Sequence, residues 1–209
     1  MKILDFLFLD KDLCYLCQDK KIEKYYLCED CLDKLDRVSN EFRIENYPTY
    51  AIYFYNKTMA NLIASYKFNR ETSLRDIFGQ MIYTFGNENN LFDVDYILPV
   101  PSYKKTIEKR GFDHIKLICD YFIEKIDAKY LEDFDKIKPT KAQHMLSKAE
   151  REKNLKGAFL LKKDLNGKSV LIIDDIITSG NTVKEIIKLL KQNNVGDIKV
   201  LGLASSHRI

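Results

Sequence analysis

The sequence predicts an α/β fold built on a mostly parallel sheet, with a small four-cysteine module in front of it. Three observations carry this expectation. Strand-like apolar runs at Tyr96–Val100, Val170–Ile173 and Ile198–Ala204 alternate with segments whose apolar residues recur at helical spacing. Cys14-Tyr-Leu-Cys17 and Cys28-Glu-Asp-Cys31 form two C-x2-C knuckles that hold four of the five cysteines within 18 positions. The 209 residues allow one full domain plus such a module, and 45% apolar with 31% charged residues is an ordinary globular composition.

In chain order, Met1 to Leu9 is hydrophobic, but Asp5 interrupts it and no small-residue cleavage site follows, so we expect no signal peptide. The longest apolar runs stop far short of a membrane span, and a cytoplasmic location is expected. In that reducing compartment, paired knuckles argue for a tetrahedral zinc site of Cys14, Cys17, Cys28 and Cys31 rather than for disulfides or redox-active dithiols. Four thiolates fill the coordination shell, so the metal is structural and supplies folding energy that so small a module lacks. Residues 1–45 are read as this module and a linker, and 46–209 as the second domain.

Arg37 to Tyr50 reads as linker and strand entry, and Ala51 to Tyr55 as a strand. Thr58 is placed at the cap of a helix whose residues Leu62, Ile63 and Tyr66 lead to Lys67 and Arg70. A second helix spans Leu74 to Phe85. The strand at Tyr96 leaves through the rigid Pro99-Val100-Pro101, and a loop from Lys104 to Lys109 leads to Arg110-Gly111-Phe112. Ile115, Ile118, Cys119, Phe122 and Ile126 then mark a helix, with Cys119 as a buried apolar residue rather than a nucleophile. Tyr130-Leu131 opens a short strand, and Gly157 to Leu161 forms another. Between them, Ser147 and Glu150 suggest a capping box for a helix through Asn154. The three histidines, His114, His144 and His207, have no serine or cysteine partner in a recognisable arrangement and are read as surface or loop residues.

The net charge of +3 is unevenly spread. Lys136 to Lys163 carries net +7, which leaves −4 on the rest of the chain. Such a segment is either a solvated face or a polyanion contact; Lys138, Lys141, Lys148, Arg151 and Lys153 are its candidate nucleic-acid contacts.

Everything else is arranged around Val170-Leu-Ile-Ile-Asp174-Asp175-Ile-Ile-Thr178-Ser179-Gly180-Asn181-Thr182. An apolar strand ends in two carboxylates; a hydroxyl-and-glycine loop follows, and Val183, Ile186, Ile187 and Leu190 continue at helical spacing. The loop and helix start suit a phosphate, and the carboxylates suit sugar hydroxyls, so a ribose 5-phosphate group is the first ligand expected. A Walker B reading fails because Gly167-Lys168-Ser169 lacks its upstream glycine, Lys162 standing there, and precedes a strand rather than a helix. A dinucleotide-binding turn fails because no G-x-G-x-x-G exists.

The 13 residues from Val170 to Thr182 match, position by position, the phosphoribosyl-pyrophosphate signature of type I phosphoribosyltransferases. With the cysteine knuckles, Pro99-Val100-Pro101, Arg110-Gly111-Phe112 and the Thr140-x2-Gln143 to Gly157-Ala158-Phe159 spacing, the chain resembles the ComF family of competence proteins. The resemblance implies a sheet of the type I phosphoribosyltransferase kind over residues 46–209. It implies that Asp174 and Asp175 bind the ribose hydroxyls, and that Ile177, Thr178, Ser179, Gly180, Asn181 and Thr182 wrap the 5-phosphate. Lys67 would stand in the pyrophosphate loop, Arg110 and Arg151 would be further phosphate contacts, and Mg²⁺ would accompany the ligand. The chain departs from the family pattern in having Arg70 where a glycine is common, Asp113-His114 for Asn-Gln, and Tyr103 and Lys105 for His and Arg.

Two functions follow from the resemblance. One is a protein of natural transformation that binds phosphoribosyl pyrophosphate and single-stranded DNA, with other DNA-uptake proteins as further partners. The other is a catalytic phosphoribosyltransferase acting on a nitrogen nucleophile, with part of 136–154 closing over the site.

Overall fold

In a computed structural model of the chain, residues 12–38, 40–68, 71–140 and 154–206 are described. The elements run α1 (Glu29–Leu32), β1 (Phe42–Ile44), β2 (Tyr47–Phe54), α2 (Lys57–Phe68), α3 (Leu74–Glu88) and β3 (Tyr96–Pro99). They continue as α4 (Lys104–Arg110), α5 (His114–Cys119), β4 (Lys129–Tyr130), β5 (Phe134–Lys136), β6 (Phe159–Leu161), β7 (Ser169–Ile177), α6 (Asn181–Gln192) and β8 (Asp197–Ser205). Six strands form one sheet in the order β1-β2-β8-β7-β3-β4, and β5 and β6 pair separately. Only β1 runs antiparallel to its neighbour in the large sheet, so the mainly parallel α/β architecture read from the sequence holds.

Strand β7 sits inside the sheet, between β8 and β3, and its side chains alternate between two cores. Leu171 and Ile173 face α2, α3 and α5, where Tyr66, Phe78, Met81, Ile115 and Ile118 are buried. Val170 and Ile172 face α6, through Val183, Ile186, Ile187 and Leu190, and the β5–β6 ribbon, through Phe134 and Phe159; at the strand's end the alternation breaks, and Ile177 joins this second cluster. Burial on both faces is why the strand reads as a continuous apolar run, and each such side chain contributes about 1.5–3 kcal/mol. From β3 the chain moves outward to β4, and from β7 it moves the other way to β8. The carboxyl ends of β3 and β7 therefore border the crevice where open α/β sheets bind ligands.

The cysteine module is continuous with the first core: Cys14, Tyr25, Leu27, Cys28 and Leu35 pack in one cluster with Ile52 and Tyr53. Tyr15, inside the first knuckle, hydrogen-bonds through its hydroxyl to Ser73 (3.0 Å) and Glu71 (3.3 Å) ahead of α3. The expected division after residue 45 falls in the two-residue turn Glu45-Asn46 of the β1–β2 hairpin, where both residues take positive φ. The stretch read as a linker thus already supplies a strand, β1, to the sheet.

Three local expectations need correction. The α2 cap is Asn56, whose Oδ1 accepts the Met59 N–H at 2.9 Å, not Thr58. Lys104 to Lys109 is helical rather than a loop; with no residue of α4 buried, its sequence shows no apolar period. That helix stops at Gly111, whose φ of +96° only glycine adopts without strain and whose N–H donates to the Ile107 carbonyl. The α5 helix ends at Cys119 instead of running to Ile126, as i→i+3 bonds from Tyr121 to Ile118 and from Phe122 to Cys119 tighten the chain. Cys119 itself is fully buried, as expected. No described helix is long and apolar enough to cross a membrane.

Candidate functional site

The alternation of β7 continues through Asp174 and Asp175, so the sheet separates two side chains that are adjacent in sequence. Asp175 projects on the side of α2 and α5. It makes an ion pair with Lys67 from the end of α2, and its Oδ2 lies 3.4 Å from Nε2 of His114 at the start of α5. Burial pushes the Asp175 carboxyl up, but the Lys67 ammonium and then His114 outweigh it and hold the group well below the usual carboxylate range. Asp174 projects on the side of the β5–β6 ribbon. Burial and the neighbouring Asp175 push its carboxyl well up, although its Oδ1 accepts the Asp175 backbone N–H at 2.9 Å. Lys136, the last residue of β5, faces this carboxylate; burial lowers its amine and the Asp174 charge opposes the shift.

Beyond β7, Gly180 takes φ +70° and caps α6. The positive φ favours glycine there, and a Cβ would also press on the tip of Ile44, reaching its Cδ1 at 2.9 Å. The N-terminus of α6 then carries the positive end of a 12-residue helix to the loop. Asp174, Thr178, Gly180, Asn181 and Thr182 border a recess at this point. Ile177 contributes its main chain, whose carbonyl accepts the Ser206 N–H; its side chain is in the core.

Lys67, Arg110, Asp174, Asp175, Thr178 and Thr182 line one cleft of about 620 Å³. The fold thus brings together residues from α2, α4, β7 and α6 that the sequence scatters. Burial lowers the Arg110 pKa, and nearby Asp175 and Asp113 oppose that effect. Among the described residues, Arg110 Nη1, Asp113 Oδ1 and Asp175 Oδ2 are buried atoms without a directional hydrogen-bond partner. Of these, Asp175 Oδ2 has the Lys67 ammonium and His114 beside it, whereas Arg110 lines the cleft with a buried donor left over, which suits an anionic ligand.

His114 is where the structure overturns a reading. It is not a surface or loop residue but 8% exposed, with its ring between Ser102 and Asp175. Burial drives its pKa down, Asp175 opposes this, and Lys67 and Arg110 add to the lowering. Lys136 and His114 are site residues that the sequence did not mark. For Lys136 the signal was its place in the basic segment; for His114 it was the Asp113-His114 departure. Lys138 is exposed and outside the cleft lining. Arg70, Lys141, His144, Ser147, Lys148, Glu150, Arg151, Lys153 and His207 lie outside the described residues.

In the module, the sulfurs of Cys14, Cys17, Cys28 and Cys31 lie within 4.8 Å of one another, with Cys17 and Cys28 at 3.7 Å. All are free thiols. A tetrahedron with metal–sulfur bonds of about 2.3 Å has edges of about 3.8 Å, so the cluster could hold a metal ion.

The phosphoribosyl transferase domain family matches residues 106–207. "DNA utilization protein YhgH" of Escherichia coli K12 is 26% identical over 91% of this chain and 83% of its own length. "Competence protein F" of Haemophilus influenzae is 29% identical over 92% and 90%. "Competence protein ComFC" of Streptococcus pneumoniae R6 is 26% identical over 73% and 66%. The sheet, the acidic strand end and the domain match define a protein of the phosphoribosyltransferase-domain class. With its relatives and its N-terminal cysteine module, the chain is similar to the ComF family of competence proteins.

Proposed function

We propose that the cleft binds phosphoribosyl pyrophosphate and that the protein serves DNA uptake in natural transformation, handling single-stranded DNA in the cytoplasm. The carrying observation is the convergence of Asp174, Asp175, Lys67, Arg110 and the Thr178–Thr182 loop on one cleft. Asp174 and Asp175 offer acceptors for the two ribose hydroxyls. Thr178, Ser179, Gly180, Asn181 and Thr182, at the α6 N-terminus, offer hydroxyls and backbone dipoles to the 5-phosphate. Arg110, half-buried with its Nη1 buried and unpartnered, and Lys67 carry the positive charge that a pyrophosphate requires. The oxygen donors of Asp174 and Asp175 suit Mg²⁺, which would offset the charge of the ligand.

The DNA part rests on the relatives named for competence and DNA utilisation, and on the net +7 of residues 136–163, which include Lys138, Lys141, Lys148, Arg151 and Lys153. Zinc in the four-cysteine cluster would serve as structural metal. A transferase activity toward a nitrogen nucleophile is the second reading. It is favoured by the β5–β6 ribbon, whose Lys136 lines the cleft near Asp174.

The experiment is thermal unfolding with and without phosphoribosyl pyrophosphate and Mg²⁺. The wild type should gain stability with ligand, and a variant carrying both Asp174→Asn and Asp175→Asn should gain none. An equal gain in both proteins refutes the pocket. Single-strand binding that is absent at low salt refutes the DNA role. Pyrophosphate release above background with a base or amine would favour the second reading.

A further inference from the structure

His114 has no part in the ligand contacts above, yet it stands among them. Its main-chain carbonyl accepts the Tyr66 hydroxyl proton at 2.8 Å, which ties the first turn of α5 to α2. Its Nδ1 is 3.1 Å from Ser102 Oγ, and its Nε2 is 3.4 Å from Asp175 Oδ2. The charged groups facing it are Lys67 from α2, Arg110 from α4, Asp113 beside it, and Asp175 from β7. One proton arrangement of the neutral ring uses both contacts: Nε2–H toward the carboxylate, with Nδ1 accepting the Ser102 hydroxyl. The other tautomer would set a nitrogen lone pair against Asp175.

Lys67 touches the same carboxylate oxygen, but on a long flexible stem whose charge an anionic ligand also attracts. The imidazole is held at its ring and at its main chain, and it is the contact able to persist when such a ligand enters. We propose that His114 is a positioning residue: fixed as its Nε2–H tautomer by Ser102, it donates to Asp175 Oδ2 and sets the rotation of a carboxylate that, together with Asp174, receives a ligand's vicinal hydroxyls. The clause about the ligand rests on the phosphoribosyl pyrophosphate reading; the ring's state does not.

Two measurements test this. The first is the long-range ¹⁵N spectrum of the imidazoles in the ligand-free protein, whose three histidines are resolved by comparison with His114→Asn. At neutral pH His114 should show the neutral Nε2–H pattern, and Ser102→Ala should disturb it. A protonated or Nδ1–H ring overturns the proposal. The second compares two variants in phosphoribosyl pyrophosphate binding, with the ligand-free melting temperature as the folding control. A glutamine amide places a donor near the Nε2 position, so His114→Gln should keep the wild-type affinity. An asparagine reaches only as far as Nδ1, so His114→Asn should lose about tenfold, the size of one hydrogen bond to a charged group. Equal affinities of the two variants overturn the proposal. A wild type that does not respond to the ligand removes the pocket reading instead, and the ring tautomer then decides the role of His114 alone.

Discussion

Replacing Lys67 by methionine would keep the apolar stem and remove the charge that compensates Asp175. The two side chains are 18% and 9% exposed, so the pair is a buried one. Stripping one partner from a buried ion pair costs about 3–5 kcal/mol because the other charge is left uncompensated. Here His114, 3.4 Å away, can take over part of the role, which reduces the expected loss to about 2–3 kcal/mol. For a chain of 209 residues this is a fall in Tm on the order of 5–10 °C. The pH dependence has a definite sign. The Asp175 carboxyl is held below its unfolded value, so its stabilising contribution is complete above about pH 4 and fades below it. Urea unfolding should therefore show the gap between wild type and Lys67→Met at pH 7, narrowing toward pH 3. Adding Asp175→Asn to Lys67→Met should recover most of the loss, since no unpaired charge then remains. A Lys67→Met variant that unfolds at the wild-type urea concentration at pH 7, or a gap that does not narrow in acid, refutes the reasoning.

Asp174 should behave in the opposite way. Burial and the adjacent Asp175 raise its carboxyl, so in the ligand-free protein its ionised form costs stability as pH rises above the unfolded value. Asp174→Asn alone should therefore stabilise the ligand-free protein by about 1 kcal/mol at pH 7, a Tm rise on the order of 2–4 °C by calorimetry, while weakening ligand binding. A fall in Tm would contradict this balance. In the module, elemental analysis of protein purified under reducing conditions should find roughly one zinc per chain, lost together with stability on treatment with a strong chelator. Metal-free protein of unchanged Tm would overturn the structural role.

What the sequence shows of this site follows from how the chemistry is laid out along the chain. Val170 to Thr182 is legible because strand, carboxylates, loop and helix start are contiguous, and each has its own residue signature. The cysteines are legible because each knuckle is local. Lys67 and Arg110 are two exposed-looking cations among 34, and only the resemblance singles them out. His114 is invisible for a stronger reason: its partners, Ser102 and Asp175, come from two other segments, and no local pattern says that a lone histidine will be buried. Strand β5 has three residues, and its partner β6 begins beyond a long connection, too little signal to separate it from a loop. The β1–β2 hairpin is missed because its turn, Glu45-Asn46, lacks the Asn-Gly pair that usually marks such turns.

The arrangement of Asp174 and Asp175 has a consequence for how this protein can vary. Neighbours in sequence, they occupy compartments that β7 partitions, one supplied with the Lys67 ammonium by α2 and the His114 imidazole by α5, the other with Lys136 by the tip of β5. A single residue inserted or deleted ahead of them would turn each acid toward the other's partners and every apolar neighbour toward the wrong core. Many changes of side chain along the strand would be milder than one change of its length. What the strand transmits is phase as much as acidity, and a homologue that keeps both aspartates but shifts their parity against Leu171 and Ile173 would have kept the letters of the site without its meaning.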